Sequence, residues 1–311
     1  MPSSALMTVR TEAVVDWYAA HARDLPWRRP GTSPWGVLVS ELMLQQTPVA
    51  RVEPVWTRWL ARWPTPADLA ADSPGEAVRA WGRLGYPRQA LRLHECAGAL
   101  VRDRGGAVPA DVQLLRALPG VGDYTAAAVV AFAYGQRAAV LDTNVRRVLA
   151  RQVFGVEQPA TVGTTKVERE LAGGLLPDDP EQAARWSAAA MELGALVCTA
   201  RNPRCSVCPV ADGCAWLRAG RPAGTRRRRT QTYAGTDRQC RGQLLAVLRD
   251  SATPVPGHVL VREWDDERQR TRALAGLVAD GLVEPIGTDR YALPGSARTD
   301  LPTSPGRVSR C

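Results

Sequence analysis

Apolar side chains recur every three to four positions through the first two-thirds of the chain, the spacing of helices that bury one face. TEAVVDWYAAHA (11–22) reads this way, as do 35–47, 50–62, 74–84, 88–104, 111–117, 123–134, 143–154, 163–176 and 180–197. Between the first two, DLPWRRPGTSP reads as a loop, because Pro26, Pro30 and Pro34 block a helix. The two-residue alternation of a half-buried strand is almost absent before residue 250. The pattern predicts an all-α assembly with short connections.

Periodicity lapses over RAGRPAGTRRRRTQTYAGT (218–236), which reads as a basic linker rich in Gly, Pro, Thr and Arg. Beyond it, 238–250 and 267–280 are helical in pattern, and GLVEPIGTDRYALPG reads as a short β-hairpin. Helices followed by a hairpin predict a small winged-helix-like module over 237–294. The Ser-, Thr-, Pro-, Gly- and Arg-rich stretch 295–311 is expected to be a disordered tail.

Length and charge sharpen this reading. A chain of 311 residues suits two or three domains. Its net charge of +9 favours a polyanionic partner. The basic residues total 40, and Lys166 is the single lysine among them. An amine nucleophile therefore has almost no candidate. Residues 1–20 lack the continuous apolar stretch of a signal peptide, and the longest uncharged apolar run, near 124–135, is too short to span a bilayer. The expected setting is cytoplasmic, without a membrane.

Four of the seven cysteines form C-x6-C-x2-C-x5-C, namely Cys198, Cys205, Cys208 and Cys214 in CTARNPRCSVCPVADGC. Soft thiolates at such spacing converge on one metal centre, either an iron–sulfur cluster or zinc. Disulfides do not suit a chain with no sign of an oxidising compartment.

Three further places carry chemistry. In VQLLRALPGVGDYTAAAVVA, two helices flank LPGVG. Gly120 and Gly122 permit backbone conformations that a side chain would hinder, and free N–H groups at the start of the second helix suit a phosphate. Glu41 lies in VLVSELMLQQTPV, with Val37, Leu38 and Leu44 as apolar helical neighbours and no basic partner on its own helix. Such a carboxyl keeps its proton near neutrality, as a general acid must. Asp142, in AAVLDTNVRRVLAR, ends an apolar run at a helix N-cap position, with Asn144, Arg146 and Arg147 close in sequence.

SELMLQQTPV, Trp81 with LGY at 84–86, LPGVGDYTA, LDTNVRRV, MELGALVC and the four cysteines occur in one order. Together they resemble the adenine DNA glycosylases of the MutY type, within the helix-hairpin-helix glycosylase superfamily, over roughly residues 11–217. The resemblance implies a mainly α, two-domain fold. An iron–sulfur domain is built from 1–34 with 142–217, a six-helix barrel carrying the hairpin spans 35–141, and the active site lies between them. It implies a [4Fe–4S] cluster on the four cysteines.

The implied activity is monofunctional hydrolysis of the N-glycosidic bond of adenine mispaired with 8-oxoguanine or guanine, in base excision repair. The partner is double-stranded DNA containing that adenine, bound by a monomer. By resemblance Glu41 is the general acid, Asp142 stabilises the cationic sugar, and Tyr124 and Asn144 support them. Arg28 lies near the adenine, and Gln46 and Tyr86 wedge into the duplex. Gly120 and Gly122 cradle a phosphate, while Arg201 and Arg204 meet the DNA backbone. Outside the stretch that carries the resemblance, the run Arg226–Arg229 reads either as further backbone contacts or as a solvated linker.

The related endonuclease III type uses a lysine where this chain has Tyr124. Two departures from the adenine family stand out. The region after 236 does not resemble its C-terminal lesion-checking domain, and Pro87 stands where a second tyrosine often follows LGY.

Overall fold

The computed structural model describes residues 4–224 and 233–296. Arg226–Arg229 and nearly all of the expected tail lie outside the described residues. Helices α1 (Ser4–His21) and α2 (Pro34–Met43) are joined by a loop containing a short 3-10 turn, Pro26–Arg28. There follow α3 (Val49–Arg62), α4 (Pro66–Ala71), α5 (Pro74–Trp81), α6 (Arg88–Arg104), α7 (Val112–Arg116), α8 (Asp123–Tyr134) and α9 (Thr143–Gln152). Then come α10 (Lys166–Leu175), α11 (Pro180–Leu196), α12 (Ala215–Arg218) and α13 (Asp237–Asp250). The chain continues with strand β1 (Val255–Pro256), α14 (Gly257–Val261), α15 (Glu267–Ala279), β2 (Glu284–Ile286) and β3 (Arg290–Ala292).

Local chemistry sets these boundaries. Ser33, Ser73 and Asp179 cap α2, α5 and α11, each followed by a proline whose missing N–H costs nothing at a helix start. Thr65 with Asp68, and Thr165 with Glu168, form reciprocal capping boxes that open α4 and α10. Helix α10 thus begins at Lys166, not at 163 as the periodicity predicts. Helix α2 stops at Met43, short of 47, because Gln46 takes a left-handed φ of 59° and Pro48 follows. Helices α4 and α14 are too short to show periodicity and were not expected, and neither was β1.

The chain divides into two compact units, Met1–Gln45 with Val108–Arg229, and Gln46–Ala107 with Thr230–Cys311. In the first, α2 packs on α8, while α11 packs on α9 and α1. Leu141, Val145, Leu149, Ala183, Trp186 and Ala190 form one buried cluster there, and Val14, Val148, Ala189, Leu193 and Val197 another.

In the second unit α6 packs on α4 and α5. Trp59 meets Trp63 and Trp81 edge-on, with centroids 4.7 and 5.8 Å apart. The C-terminal module has the expected helices and hairpin. Helices α13 and α15 pack together, and the antiparallel sheet runs β1-β3-β2 with Val255 opposite Tyr291 and Pro285 opposite Tyr291 on the other side. This strand–helix–helix–hairpin order is winged-helix-like. The module is docked on α5: Gly75 N–H donates to the Pro294 carbonyl at 2.7 Å, and Arg249 Nε donates to the Val78 carbonyl at 2.9 Å. Among the described residues no helix is long and apolar enough to cross a membrane.

Candidate active site and cluster-binding loop

Helix α2 is buried along Trp35–Met43, and Glu41 is carried into that interior with 4% of its surface exposed. Ionising a carboxyl without water is costly, so burial pushes Glu41 up to about 7 from its ordinary 4.5, and the Asp142 charge adds to the rise. A hydrogen bond donated by the Tyr124 hydroxyl at 2.7 Å and the charge of Arg28 act in the opposite direction. Tyr124 sits in the first turn of α8, and its own ionisation is pushed well above 10 by burial and the two carboxylates.

Asp142 caps α9. Its Oδ1 accepts the Val145 N–H at 2.6 Å and its Oδ2 accepts Asn144 Nδ2 at 2.7 Å. Burial raises the Asp142 pKa, while these bonds and Arg147 favour the charged form. The cap expected from LDTN is present, and the same carboxylate is close enough to shift Glu41. The structure thus brings Glu41, Tyr124, Asp142 and Asn144 together, as the sequence analysis expects.

One support was not found from sequence. Glu192 on α11 is fully buried and holds Arg23 bidentately at 2.6 and 2.9 Å and Arg28 at 2.9 Å. Arg28 is thereby fixed with its charge acting on Glu41 and Tyr124. Glu192 lies within MELGALVC, but no local pattern ties it to arginines more than 160 residues away.

A further support is Arg147, which the sequence places beside Asp142 but whose partners only the structure shows. Its Nη2 donates to Asn144 Oδ1 and to the Gly194 carbonyl, both at 2.7 Å, and its Nε donates to the Cys198 carbonyl at 2.7 Å. One run of hydrogen bonds therefore joins Asp142 to the first cysteine.

The hairpin is the α7–α8 turn. Gly120 has φ +78°, which glycine adopts without strain. Gly122, as the α8 N-cap, is extended at φ −97°, so the expected need for glycine conformation fails there; a Cβ on it would meet nothing within 4 Å. Its value is open space before the α8 N-terminus. Gln46 and Tyr86 lie in the other unit, both exposed, both with positive φ, and the Tyr86 hydroxyl donates to Gln46 Oε1. Lys166 is 84% exposed at the start of α10 and pairs with Glu170.

Cys198, Cys205, Cys208 and Cys214 line one pocket with Arg151, Val197, Pro203 and Trp216. Arg151 donates to Cys198 Sγ at 3.4 Å and stacks on Trp216. Among the described residues no three Cys, His, Asp or Glu close on a single-ion site. Four thiols lining one pocket are the donor set that an iron–sulfur cluster takes. In the same loop, Arg201 is exposed and Arg204 turns its Nε and Nη2 to the Leu196 carbonyl at 3.1 and 2.7 Å.

Comparison with known proteins agrees with this geometry. The family model of the HhH-GPD superfamily of base excision DNA repair proteins matches residues 39–173. That of the iron-sulfur binding domain of endonuclease III matches 198–214. The chain carries that domain and, with it, a [4Fe–4S] cluster.

It is 53% identical to the adenine DNA glycosylase of Mycolicibacterium smegmatis, over 95% of this chain and 100% of the relative. It is 41% identical to that of Homo sapiens over 68% of this chain and 40% of the relative. Among solved structures, a thermostable thymine-DNA glycosylase matches with TM-score 0.63 and 28% identity, over 68% of this chain and 97% of the other. On its fold, its cluster-binding loop and this likeness along nearly its whole length, the chain belongs to the MutY-type adenine DNA glycosylase family of the helix-hairpin-helix superfamily.

Proposed function

We propose that the protein is a monofunctional glycosylase that removes adenine mispaired with 8-oxoguanine or guanine from double-stranded DNA. The observation that carries this reading is Glu41, a carboxyl that burial raises to about pKa 7, bonded by the Tyr124 hydroxyl and set beside Asp142. The adenine nucleotide leaves the stack to reach the site. Protonated Glu41 donates to adenine N7 as the C1′–N9 bond breaks and its electron pair moves into the leaving base. Ionised Asp142, oriented by Asn144 and Val145, offsets the positive charge on the sugar. Water then attacks C1′ and returns its proton to Glu41.

Tyr124 spends its hydroxyl on Glu41, at the position where a lyase would need an amine. Arg28 borders the adenine. Gln46 and Tyr86 enter the duplex, Gly120 and Gly122 cradle a phosphate, and Arg201 and Arg204 add backbone contacts. Cys198, Cys205, Cys208 and Cys214 are the cluster ligands, and the cluster, when bound, braces this loop without entering the hydrolysis.

We further retain the division into an iron–sulfur domain (1–34 with 142–217) and a barrel (35–141), acting as a monomer. The test is adenine release from duplexes with 8-oxoguanine, guanine or cytosine opposite adenine. Release in the first two and little in the third is expected. Equal release from all three, or none, would overturn the proposal.

A further inference from the structure

Gln46 and Tyr86 are two of four described non-glycine residues in the left-handed region, at φ +59° and +56°. Both are exposed, and the Tyr86 hydroxyl donates to Gln46. Exposed side chains do not hold such a backbone by burial, so other contacts must support it. From one side the Trp81 indole N–H donates to the Gly85 carbonyl at 3.1 Å. From the other comes the C-terminal module. Arg238, in the first turn of α13, places its guanidinium carbon 6.0 Å from the Tyr86 ring centre and 5.8 Å from that of Tyr233.

A cation in the first turn works against the helix dipole, so the stability of α13 does not account for Arg238. Among the described residues no carboxylate pairs with it. Its backbone, by contrast, is well fixed. Thr236 caps the helix by accepting the Gln239 N–H, Gly235 N–H donates to Gln239 Oε1 at 2.8 Å, and Asp237 is tied to Arg272 of α15 at 2.9 Å. A rigid helix start thus presents one guanidinium to two tyrosine rings.

We propose that Arg238 is a positioning residue that holds Tyr86, and through it Gln46, in the orientation that meets duplex DNA. The winged-helix-like module is then a working part of the duplex-reading surface. This rests on the reading of Gln46 and Tyr86 given above. It assigns the module a task that its own charge does not suggest, since acidic and basic residues nearly balance over 237–294.

The experiment uses the full chain with its cluster. Affinity is measured for a duplex bearing an uncleavable 2′-fluorinated adenine nucleotide opposite 8-oxoguanine, together with the single-turnover rate of adenine release from the natural duplex. Arg238→Ala should weaken binding about tenfold, with the rate of the bound complex changed by less than about twofold. Tyr233→Ala should do the same, the double variant should be no worse than either, and Arg238→Lys, which keeps a cation over the rings, should restore most of the affinity.

Binding by Arg238→Ala equal to that of the parent overturns the inference. So does a loss seen in Arg238→Ala but not in Tyr233→Ala, accompanied by a salt dependence reduced by about one charge, which marks a direct phosphate contact instead. If the parent releases no adenine yet the binding pattern holds, the proposed function fails and the positioning role stands. If adenine is released and the binding pattern is absent, only the positioning role fails.

Discussion

A carboxyl group on a helix buried from Trp35 to Met43 gives up its proton reluctantly, and Glu41 holds its proton up to about pH 7. The raised value makes the native state bind a proton that the unfolded chain has released. The resulting stability is present below pH 4.5 and is lost as the pH rises through about 7. Glu41→Gln removes that loss. It should raise the unfolding temperature at pH 8, by an amount equivalent to at most about 3 kcal/mol, and leave it unchanged near pH 4.

The same variant should slow adenine release by about 10²–10⁴-fold while keeping DNA affinity, measured at single turnover and by binding. Tyr124→Phe deletes a bond that favours the ionised carboxylate. The alkaline limb of the rate profile, expected near pH 7, should therefore move to higher pH in that variant. An unmoved limb would separate Tyr124 from Glu41. The apolar neighbours of Glu41 and the cap at Asp142 were legible because both are set within four residues. The Glu192 contacts were not, because they join positions 164 and 169 residues apart, and Tyr124, 83 residues from Glu41, was placed there by family resemblance and not by any local pattern.

At the scale of elements, capping chemistry explains where the helices begin better than periodicity does. TPAD announces α4 through its reciprocal cap, although six residues are too few to display a repeat. Gly194 lies inside α11, where glycine ordinarily weakens a helix. A Cβ there would lie 2.7 Å from Asn144 Cβ and 2.8 Å from the Asn144 carbonyl oxygen, so glycine is what lets α9 and α11 approach. Gly194→Ala must push back the start of α9, which carries Asp142 and Asn144. It should cost about 1–3 kcal/mol of stability by thermal unfolding. Adenine release should fall with it although no catalytic group is changed. A variant with normal stability and normal rate would show that the contact is relieved at no cost.

For the whole molecule, a single lysine among 40 basic residues has a chemical consequence. Lys166 is exposed on α10, and Tyr124 is engaged with Glu41. Borohydride should therefore trap no covalent DNA adduct, and DNA strands should break at the product site only after alkali. Trapping in the parent that vanishes in Lys166→Ala would reverse this assignment.

Composition, periodicity and cysteine spacing determined the helical class, the cluster-binding loop and the C-terminal module, because each is encoded by neighbours within a few turns of chain. Only the tertiary structure decided that Tyr124 bonds Glu41, that Glu192 fixes Arg23 and Arg28, and that Arg147 links Asn144 to Cys198. It also decided that the module docks on α5 and sets Arg238 over Tyr86. Such contacts form where distant segments meet, and burial, which sets the Glu41 proton affinity, exists only once they have done so.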